Sequence, residues 1–308
     1  MPLGRWITTT ARLRGLWESE GVPDASANGS RALVLGGGGV AGIAWEVGIL
    51  ARLAELGIDL RSDADLVVGT SAGASVGALI SGQTGYDTLV ATQRLPVSQT
   101  KERMPDVDLN LLMEIFGLMT SKRGDPAEAR REIGALALAT ATVSEDERRE
   151  IIAWRVPTDE WPARPLIITA VNADTGERTL FSALSTVSLV DAVAASCAVP
   201  GIWPPVTIGG RRFIDGGVYS TTNADLTQGY DLTVVLCPVD MGPNDGDGTR
   251  TAATKSSHST LTIVANAASL AAFGPNLLDP SSRGPALDAG MEQANEIAAE
   301  VRQYWTSR

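Results

Sequence analysis

The residues best suited to chemistry lie in the pentapeptide G-T-S-A-G at residues 69–73. An apolar run that predicts a buried strand precedes it, and a run of small residues that predicts a helix follows it. Small residues on either side of Ser71 allow a sharp strand-to-helix turn with the serine at its apex, as in a nucleophile elbow. The positive end of the helix dipole would then point at the Ser71 hydroxyl. The same pentapeptide also fits a purely structural strand-to-helix junction of small residues that has no catalytic role.

A second candidate is the glycine-rich loop G-G-G-G-V-A-G, which follows the first predicted strand. The spacing of Gly37, Gly39 and Gly42 fits a dinucleotide-binding loop, with Asp59 or Asp63 as the acidic residue further on. The match is poor, because Asp59 follows Gly57 in a turn and does not end a second strand. An oxyanion hole is the other chemical interpretation, because consecutive glycines leave backbone N–H groups uncovered at the start of a helix. A serine elbow one strand later favours the oxyanion hole over both the dinucleotide loop and a plain turn.

A serine nucleophile needs a base to take its proton. The only histidine, His258, lies in a polar loop, and the order serine, aspartate, histidine would fit an α/β-hydrolase triad. A lone loop histidine is more often a solvated surface residue. The other candidate base is Asp215, which ends a predicted strand and precedes Gly216 and Gly217, so that its carboxylate can stand at a loop tip. Asp-Gly is also a common turn pair, and taken alone Asp215 fits a structural turn.

The chain alternates predicted strands and helices around these loops, which indicates an α/β fold with a mostly parallel sheet. Residues 31–308 are predicted to form one domain, and residues 1–30 an N-terminal extension. Within the domain, residues 85–155 carry helical patterns without intervening strands, which predicts a helical insertion or cap over the sheet. The last part of the chain is predicted to hold a strand (residues 232–239), a polar loop (240–258) and two helices (261–272 and 286–305).

Composition excludes several classes of protein. The formal net charge of -11 argues against nucleic-acid binding and gives no general attraction to anionic membranes. Cys197 and Cys237 are too few for a disulfide framework or a zinc site and are expected in the core. No apolar run of transmembrane length and no export signal is visible, so a cytoplasmic protein is expected. Trp6, Leu13 and Trp17 fit one helical face, either of an interfacial helix that contacts membranes peripherally or of an extension packed on the domain.

Together, the loops resemble one known family. The blocks G-G-G-V-A-G at residues 37–42, G-T-S-A-G at 69–73 and D-G-G at 215–217 are similar to the three signature blocks of the patatin-like phospholipases. The segment A-S-C-A-V-P-G at residues 195–201 resembles that family's approach to its aspartate. The resemblance covers about residues 31–240. It implies a three-layer α/β/α fold and a serine lipid acyl hydrolase of phospholipase A or esterase type, with neither metal nor organic cofactor.

The resemblance also implies roles for individual residues. Ser71 would be the nucleophile and Asp215 the general base of a dyad without histidine. The backbone of Gly37, Gly38 and Gly39 would supply the oxyanion donors. The remaining motif glycines, which would shape the loops, are Gly42, Gly69, Gly73, Gly216 and Gly217. The substrate would be a lipid or another acyl ester.

The sequence leaves two properties undecided: whether the site is active, and what the helical insertion does. The family usually carries Arg or Lys where this chain has Ala41, so the alternative is a catalytically weak or inactive member that binds lipid or protein. Restoring that charge by Ala41→Arg is expected to raise activity modestly. The second question is the role of the helical insertion, whose apolar residues either line an acyl channel or belong to ordinary core. These are Leu111, Leu112, Met113, Phe116 and Met119.

Overall fold

The computed structural model of the chain describes residues 29–121, 125–241 and 259–306. Three predictions therefore lie outside the described residues: the helical face of Trp6, Leu13 and Trp17, nearly all of the loop at residues 240–258, and the environment of His258.

The described part of the chain contains one mixed sheet of eight strands. They are β1 (Arg31–Leu35), β2 (Leu66–Gly69), β3 (Leu166–Asn172), β4 (Arg178–Phe181), β5 (Val206–Ile208), β6 (Arg211–Asp215), β7 (Leu232–Cys237) and β8 (Ser259–Val264). Strands β3-β2-β1-β7-β8 run parallel to one another, and β4, β5 and β6 join antiparallel. Strands β2, β3 and β7 are buried along their whole length and are rich in Val, Ile and Leu, as strands covered on both faces require. The predicted, mostly parallel sheet is confirmed.

Helices cover both faces of this sheet. Those in the described residues are α1 (Gly39–Glu55), α2 (Leu60–Asp63), α3 (Ala72–Ser81), α4 (Tyr86–Gln93), α5 (Leu109–Thr120), α6 (Pro126–Ala139), α7 (Glu145–Arg155), α8 (Leu189–Ser196), α9 (Ala267–Phe273) and α10 (Arg283–Trp305). Helices α4 to α7 lie within residues 85–155, for which the sequence predicts a helical insertion or cap. Three of them start where a side chain accepts hydrogen bonds from first-turn amides: Asp108 for α5, Asp125 for α6 and Ser144 for α7.

The two faces of the sheet have separate cores. Leu33 and Leu35 of β1 point into the larger core, which they share with α1, α3, α8 and α10. Val34, between them, points to the opposite face, because side chains alternate along a strand. On that second face, Val171 of β3 packs with Ile115 of α5 and the neighbouring helix α6. The described residues therefore form an α/β/α sandwich, in which α5 and α6 belong to one of the two helical layers.

One predicted element is wrong. Residues 261–272 were expected to be a single helix, but the structure has strand β8 there, followed by the short helix α9. Thr260, Thr262 and Ile263 are β-branched and prefer extended backbone. All six residues of β8 pair in parallel register with β7, so the free edge of β7 decides the conformation of this segment. Helix α1 also starts earlier than expected, at Gly39, because the end of the glycine loop itself forms the first helical turn.

Candidate active site

Ser71 lies at the strained turn between β2 and α3. Its φ of 54° and ψ of −112° place it in a region that L-residues rarely adopt. The turn is tied to the end of β1 on both sides of the serine: Thr70 N–H donates to the Leu35 carbonyl at 3.0 Å, and Gly73 N–H to the Gly36 carbonyl at 2.9 Å. These bonds bring the elbow and the glycine loop together at the carboxyl ends of neighbouring parallel strands, where ligand sites of α/β sheets are found.

Two motif glycines are needed because backbones approach closely here. A Cβ on Gly73 would overlap the carbonyl group of Leu35, and one on Gly69 would lie 2.5 Å from the Gly73 carbonyl oxygen. Any larger residue at either position would push the elbow away from β1.

Ser196 holds the elbow in place through a hydrogen bond to its backbone, a role that the sequence does not predict. Ser71 N–H donates to the Ser196 hydroxyl at 2.9 Å, and the Cys197 thiol donates to the Ser71 carbonyl at 3.1 Å. Ser196 is wholly buried at the end of α8. The segment at residues 195–201 resembles a family block, but nothing in its spacing predicts that its serine contacts Ser71.

Replacing Ser196 with alanine is expected to destabilise the fold by about 1–3 kcal/mol, because the Ser71 amide would remain buried without an acceptor. Urea unfolding measures this loss. Ser81→Ala is a matched control, since the buried Ser81 hydroxyl on α3 has no hydrogen-bond partner among the described residues. Equal losses of stability in the two variants would contradict the supporting role of Ser196.

Strand register places Asp215 beside Ser71. Strand β4 takes one edge of β3, while β2 and β6 share the other edge. Strand β2 follows this edge until Gly69 pairs with Ile168, then leaves it at the elbow. Strand β6 arrives from the opposite direction and ends with Asp215 paired to Ala170, two residues further along β3. Ser71 therefore lies at the point on this edge of β3 where β2 ends and where β6 ends with Asp215.

Asp215 is a buried carboxylate with one oxygen available. Its side chain is held by the Gly217 N–H, which donates to Oδ1 at 2.7 Å, while Oδ2 has no partner with full hydrogen-bond geometry among the described residues. Burial raises the pKa of Asp215 to about 6, an effect that the Ser71 hydroxyl, the Gly217 amide and the Arg148 guanidinium partly offset. A carboxylate of this pKa can accept a proton near neutral pH. Gly216 and Gly217 form the first turn after β6, as the motif predicts.

The amides of the glycine loop are not equivalent. Gly37 N–H donates to the Thr221 carbonyl at 2.8 Å and is therefore already engaged. Within the described residues the amides of Gly38 and Gly39, and that of Ala72 directly after the candidate nucleophile, have no acceptor. The predicted donor set of three glycines thus loses one member in this conformation. The Ala72 amide joins the candidate donors, because in a nucleophile elbow the residue after the serine supplies a backbone N–H to the oxyanion hole.

The conformation of the glycine loop depends on its own residues. Gly39 has a φ of 62°, and a Cβ there would lie 2.5 Å from the Leu277 carbonyl oxygen. Gly42 N–H donates to the Gly38 carbonyl at 2.8 Å, which closes the first turn of α1.

Asn223 links the two halves of the site. Its side-chain amide donates to the Thr70 hydroxyl at 3.1 Å, to the Thr169 hydroxyl at 3.3 Å and to the Ser220 carbonyl at 2.8 Å. These groups belong to the elbow, to β3 and to the loop that follows Asp215. Asn223 is completely buried and adopts a left-handed φ of 54°. Such a satisfied polar group fixes the spacing of the loops it joins.

A cleft of about 490 Å³ opens beside Ser71, Asp215 and the glycine loop. Its other lining residues are mostly apolar, and α5 contributes Leu109, Leu112, Met113, Ile115, Phe116 and Met119. Its size and lining are those of a small-molecule site. Of the five residues considered for an acyl channel, only Leu111 lies elsewhere and packs towards the core of α5 and α6. Leu109, Met113 and Phe116 are 72%, 70% and 49% exposed.

Ala41 has no room for the missing basic side chain. It is completely buried in the larger core, and its N–H donates to the Leu277 carbonyl at 3.1 Å. Unlike a residue at the rim of the cleft, it cannot be lengthened without displacing neighbouring side chains. An arginine at position 41 is therefore expected to disturb the core and not to raise activity.

Ala41→Arg is expected to lower the free energy of unfolding by on the order of 3 kcal/mol, because it buries a charge and overfills the core. Thermal unfolding and turnover are measured together. Ala54→Arg, on a partly exposed position of the same helix, serves as the control. Higher turnover in an equally stable Ala41→Arg variant would show that the missing charge itself limits the site.

The described residues contain neither a candidate metal-ligand group nor a helix suited to cross a membrane. Across residues 29–121, 125–241 and 259–306, no group of three or more His, Cys, Asp or Glu side chains could hold a metal ion. In the same part of the chain, no helix combines the length and the apolar character needed to span a bilayer.

Several known proteins are similar to this chain. The chain is 28% identical over 216 residues to the patatin-like phospholipase domain-containing protein 7 of Rattus norvegicus, and equally so to that of Mus musculus. The match covers 70% of this chain but only 14% of each relative. Among solved structures, VipD from Legionella pneumophila has a TM-score of 0.43 and 14% identity, over 89% of this chain and 68% of that one. The type III effector ExoU also has a TM-score of 0.43, with 19% identity, over 91% and 54%.

The family is decided by a match between this chain and a family sequence profile. The profile described as patatin-like phospholipase matches residues 33–227, well over half of the chain. This segment contains the glycine loop, the Ser71 elbow and Asp215. The chain therefore belongs to the patatin-like phospholipase family.

Proposed function

We propose that this protein is a serine lipid acyl hydrolase, of phospholipase A or esterase type, that works through a dyad of Ser71 and Asp215. The observation that carries the proposal is the shared edge of β3, which brings the strained serine and the buried aspartate together at the head of an apolar cleft. Family membership supports the same class of reaction.

The proposed reaction has two stages. In the first, Ser71 Oγ attacks the ester carbonyl carbon while Asp215 takes the hydroxyl proton through its available Oδ2. The carbonyl oxygen becomes negative and accepts hydrogen bonds from the amides of Gly38, Gly39 and Ala72, and Gly37 joins them only if its bond to Thr221 opens. The intermediate then collapses, and the leaving alcohol takes the proton from Asp215.

In the second stage, water releases the acyl group. Asp215, again ionised, takes a proton from a water molecule as its oxygen attacks the acyl-serine carbonyl. The second tetrahedral intermediate uses the same amides, and its collapse returns the proton to Ser71 and frees a fatty acid. Apart from this water molecule, every group assigned a role in the two stages belongs to this chain.

The cleft indicates how the substrate is held. An acyl chain fits the apolar lining contributed by α5, with its ester next to Ser71. The exposed side chains of Leu109, Met113 and Phe116 would contact a lipid surface at the mouth of the cleft. Because the net charge is -11, such contact would depend on apolar side chains and not on attraction to anionic lipids.

A second candidate function is lipid binding without turnover. Ala41 favours it, because the family usually carries a basic residue at that position. In this case the cleft would hold an acyl chain while Ser71 reacts slowly or not at all.

Hydrolysis of a panel of p-nitrophenyl esters and phospholipids of different acyl lengths tests the proposal. We expect turnover together with covalent labelling of Ser71 by a fluorophosphonate probe. Binding of the same lipids with neither turnover nor labelling would establish the second candidate function and reject hydrolysis.

A further inference from the structure

Arg148 of α7 is a buried arginine whose guanidinium makes no hydrogen bond or salt bridge with any residue that the structure describes. Its side chain is almost completely enclosed, at 3% exposure, and Nε and Nη1 have no hydrogen-bond partner among the described residues. The guanidinium stacks on the Trp203 ring, 3.9 Å from the ring centroid. Removing a charge from water without pairing it costs several kcal/mol, so an unpaired buried cation indicates that an anion completes the site.

The carboxylates of Glu102 and Asp215 are close enough to interact electrostatically with Arg148, but among the described residues neither forms a hydrogen bond or a salt bridge with it. The nearby carboxylate of Glu102 is already bound by Arg155 through two bonds of 2.5 and 2.6 Å. At the cavity rim, Arg103 pairs with Glu147. Burial and then the neighbouring Arg155 lower the pKa of Arg148 to about 9, so the guanidinium keeps its charge at neutral pH.

Arg148 lines a small cavity directly beside the proposed reaction centre. Ser71, Ala72 and Gly39 form another part of the wall of this cavity, and Ser71 and Gly39 also line the apolar cleft. The space measures about 20 Å³, enough for roughly one water molecule or one ligand oxygen. An ester at Ser71 would therefore have the acyl cleft on one side and this cationic cavity next to it.

We propose that Arg148 is the anion-binding residue of this site and binds a negatively charged oxygen of the substrate or intermediate beside Ser71. It would supply, from the helical insertion, the positive charge that the family usually places at the position of Ala41. Two sources of the oxygen share this chemistry: the carbonyl oxygen of the tetrahedral intermediate, and a phosphate next to the ester of a phospholipid. The choice between these sources rests on the proposed function, whereas anion binding does not.

A binding experiment tests the anion site without turnover. Dissociation constants of decanoate, decyl phosphate and the neutral decanol are measured by calorimetry for the wild-type chain, Arg148→Gln and Arg148→Lys. We expect Arg148→Gln to bind both anions about tenfold or more weakly, with decanol unchanged and Arg148→Lys intermediate. Equal binding of the anions by wild type and Arg148→Gln would overturn the proposal.

A stability measurement separates binding from a structural role. Arg148→Gln gives up the stacking on Trp203 but removes a buried charge that has no hydrogen bond among the described residues, so it should keep or raise the melting temperature. Arg155→Gln is the matched control and should lower it, since that change strands the buried Glu102 carboxylate. A drop in melting temperature for Arg148→Gln as large as that for Arg155→Gln would assign Arg148 to the fold and overturn the proposal.

Hydrolysis then distinguishes the two sources. If the oxygen is that of the intermediate, Arg148→Gln should lose about tenfold to hundredfold in kcat on both p-nitrophenyl decanoate and didecanoyl phosphatidylcholine. If it is a phosphate, only the phospholipid should be affected, mainly in KM. Unchanged hydrolysis of both esters would overturn the proposal. A wild-type chain that cleaves neither ester would reject the proposed function, and the binding experiment would still decide the role of Arg148.

Discussion

Ser71→Ala is expected to abolish ester hydrolysis while leaving the fold intact. Removing the nucleophile should lower kcat by at least about 10³-fold, leaving only what binding and the oxyanion donors contribute. Stability should change little, because alanine keeps the backbone N–H bond to Ser196 and occupies the same 54° φ as the serine. The side chain lost is a single hydroxyl at the edge of the cleft.

Turnover of a p-nitrophenyl ester, fluorophosphonate labelling and urea unfolding are measured on the same preparation. Ser75→Ala is the matched control, since Ser75 is a buried serine one turn further along α3 whose hydroxyl lies 3.8 Å from the Cys197 sulfur. Wild-type turnover by Ser71→Ala, or an equal loss in Ser75→Ala, would contradict the assignment of the nucleophile.

Asp215→Asn is expected to be nearly as damaging to hydrolysis, yet to stabilise the protein at neutral pH. The amide cannot take the Ser71 proton, so kcat should fall by orders of magnitude. Its oxygen can still accept the Gly217 N–H bond that holds the turn. A loss of activity together with a loss of stability would instead indicate that Asp215 is only a turn residue.

The gain in stability follows from the pKa of Asp215. Burial raises it from an ordinary value of 3.8 to about 6, so the folded state prefers the protonated carboxyl. This preference stabilises the fold fully below pH 3.8 and is lost as the pH rises through about 6. Above that pH, the wild type holds a buried negative charge at a cost of roughly 3 kcal/mol, which Asn avoids. In urea unfolding, Asp215→Asn should be more stable than the wild type at pH 8 but not at pH 4.

Activity should depend on pH in the opposite sense. Protonation of Asp215 removes the base, so kcat/KM of the wild type should fall as the pH drops through about 6. A histidine base would give a similar acid limb, and therefore the profile is recorded in His258→Ala as well. An unchanged limb in that variant supports the aspartate, whereas a loss of several hundredfold would support a serine–aspartate–histidine triad.

The sequence alone determined most of the strands and helices of this protein and the three loops that carry its motifs. Apolar runs predict the buried strands, and small residues around Ser71 predict the elbow, because both signals are local and need no distant partner. The same holds for the alternation of strands and helices that indicates a parallel sheet. The three short blocks were sufficient to predict the family. Local patterns failed at β8, whose strand conformation comes from pairing with β7.

Only the tertiary structure decided how the site is assembled. Ser71 and Asp215 are far apart along the chain, and their meeting depends on β2 and β6 sharing one edge of β3. Contacts between distant segments engage the Gly37 amide, set Ser196 under the elbow and place Arg148 in a cavity with Ser71. No spacing in the sequence encodes such contacts, because they arise when separate elements pack against the same sheet.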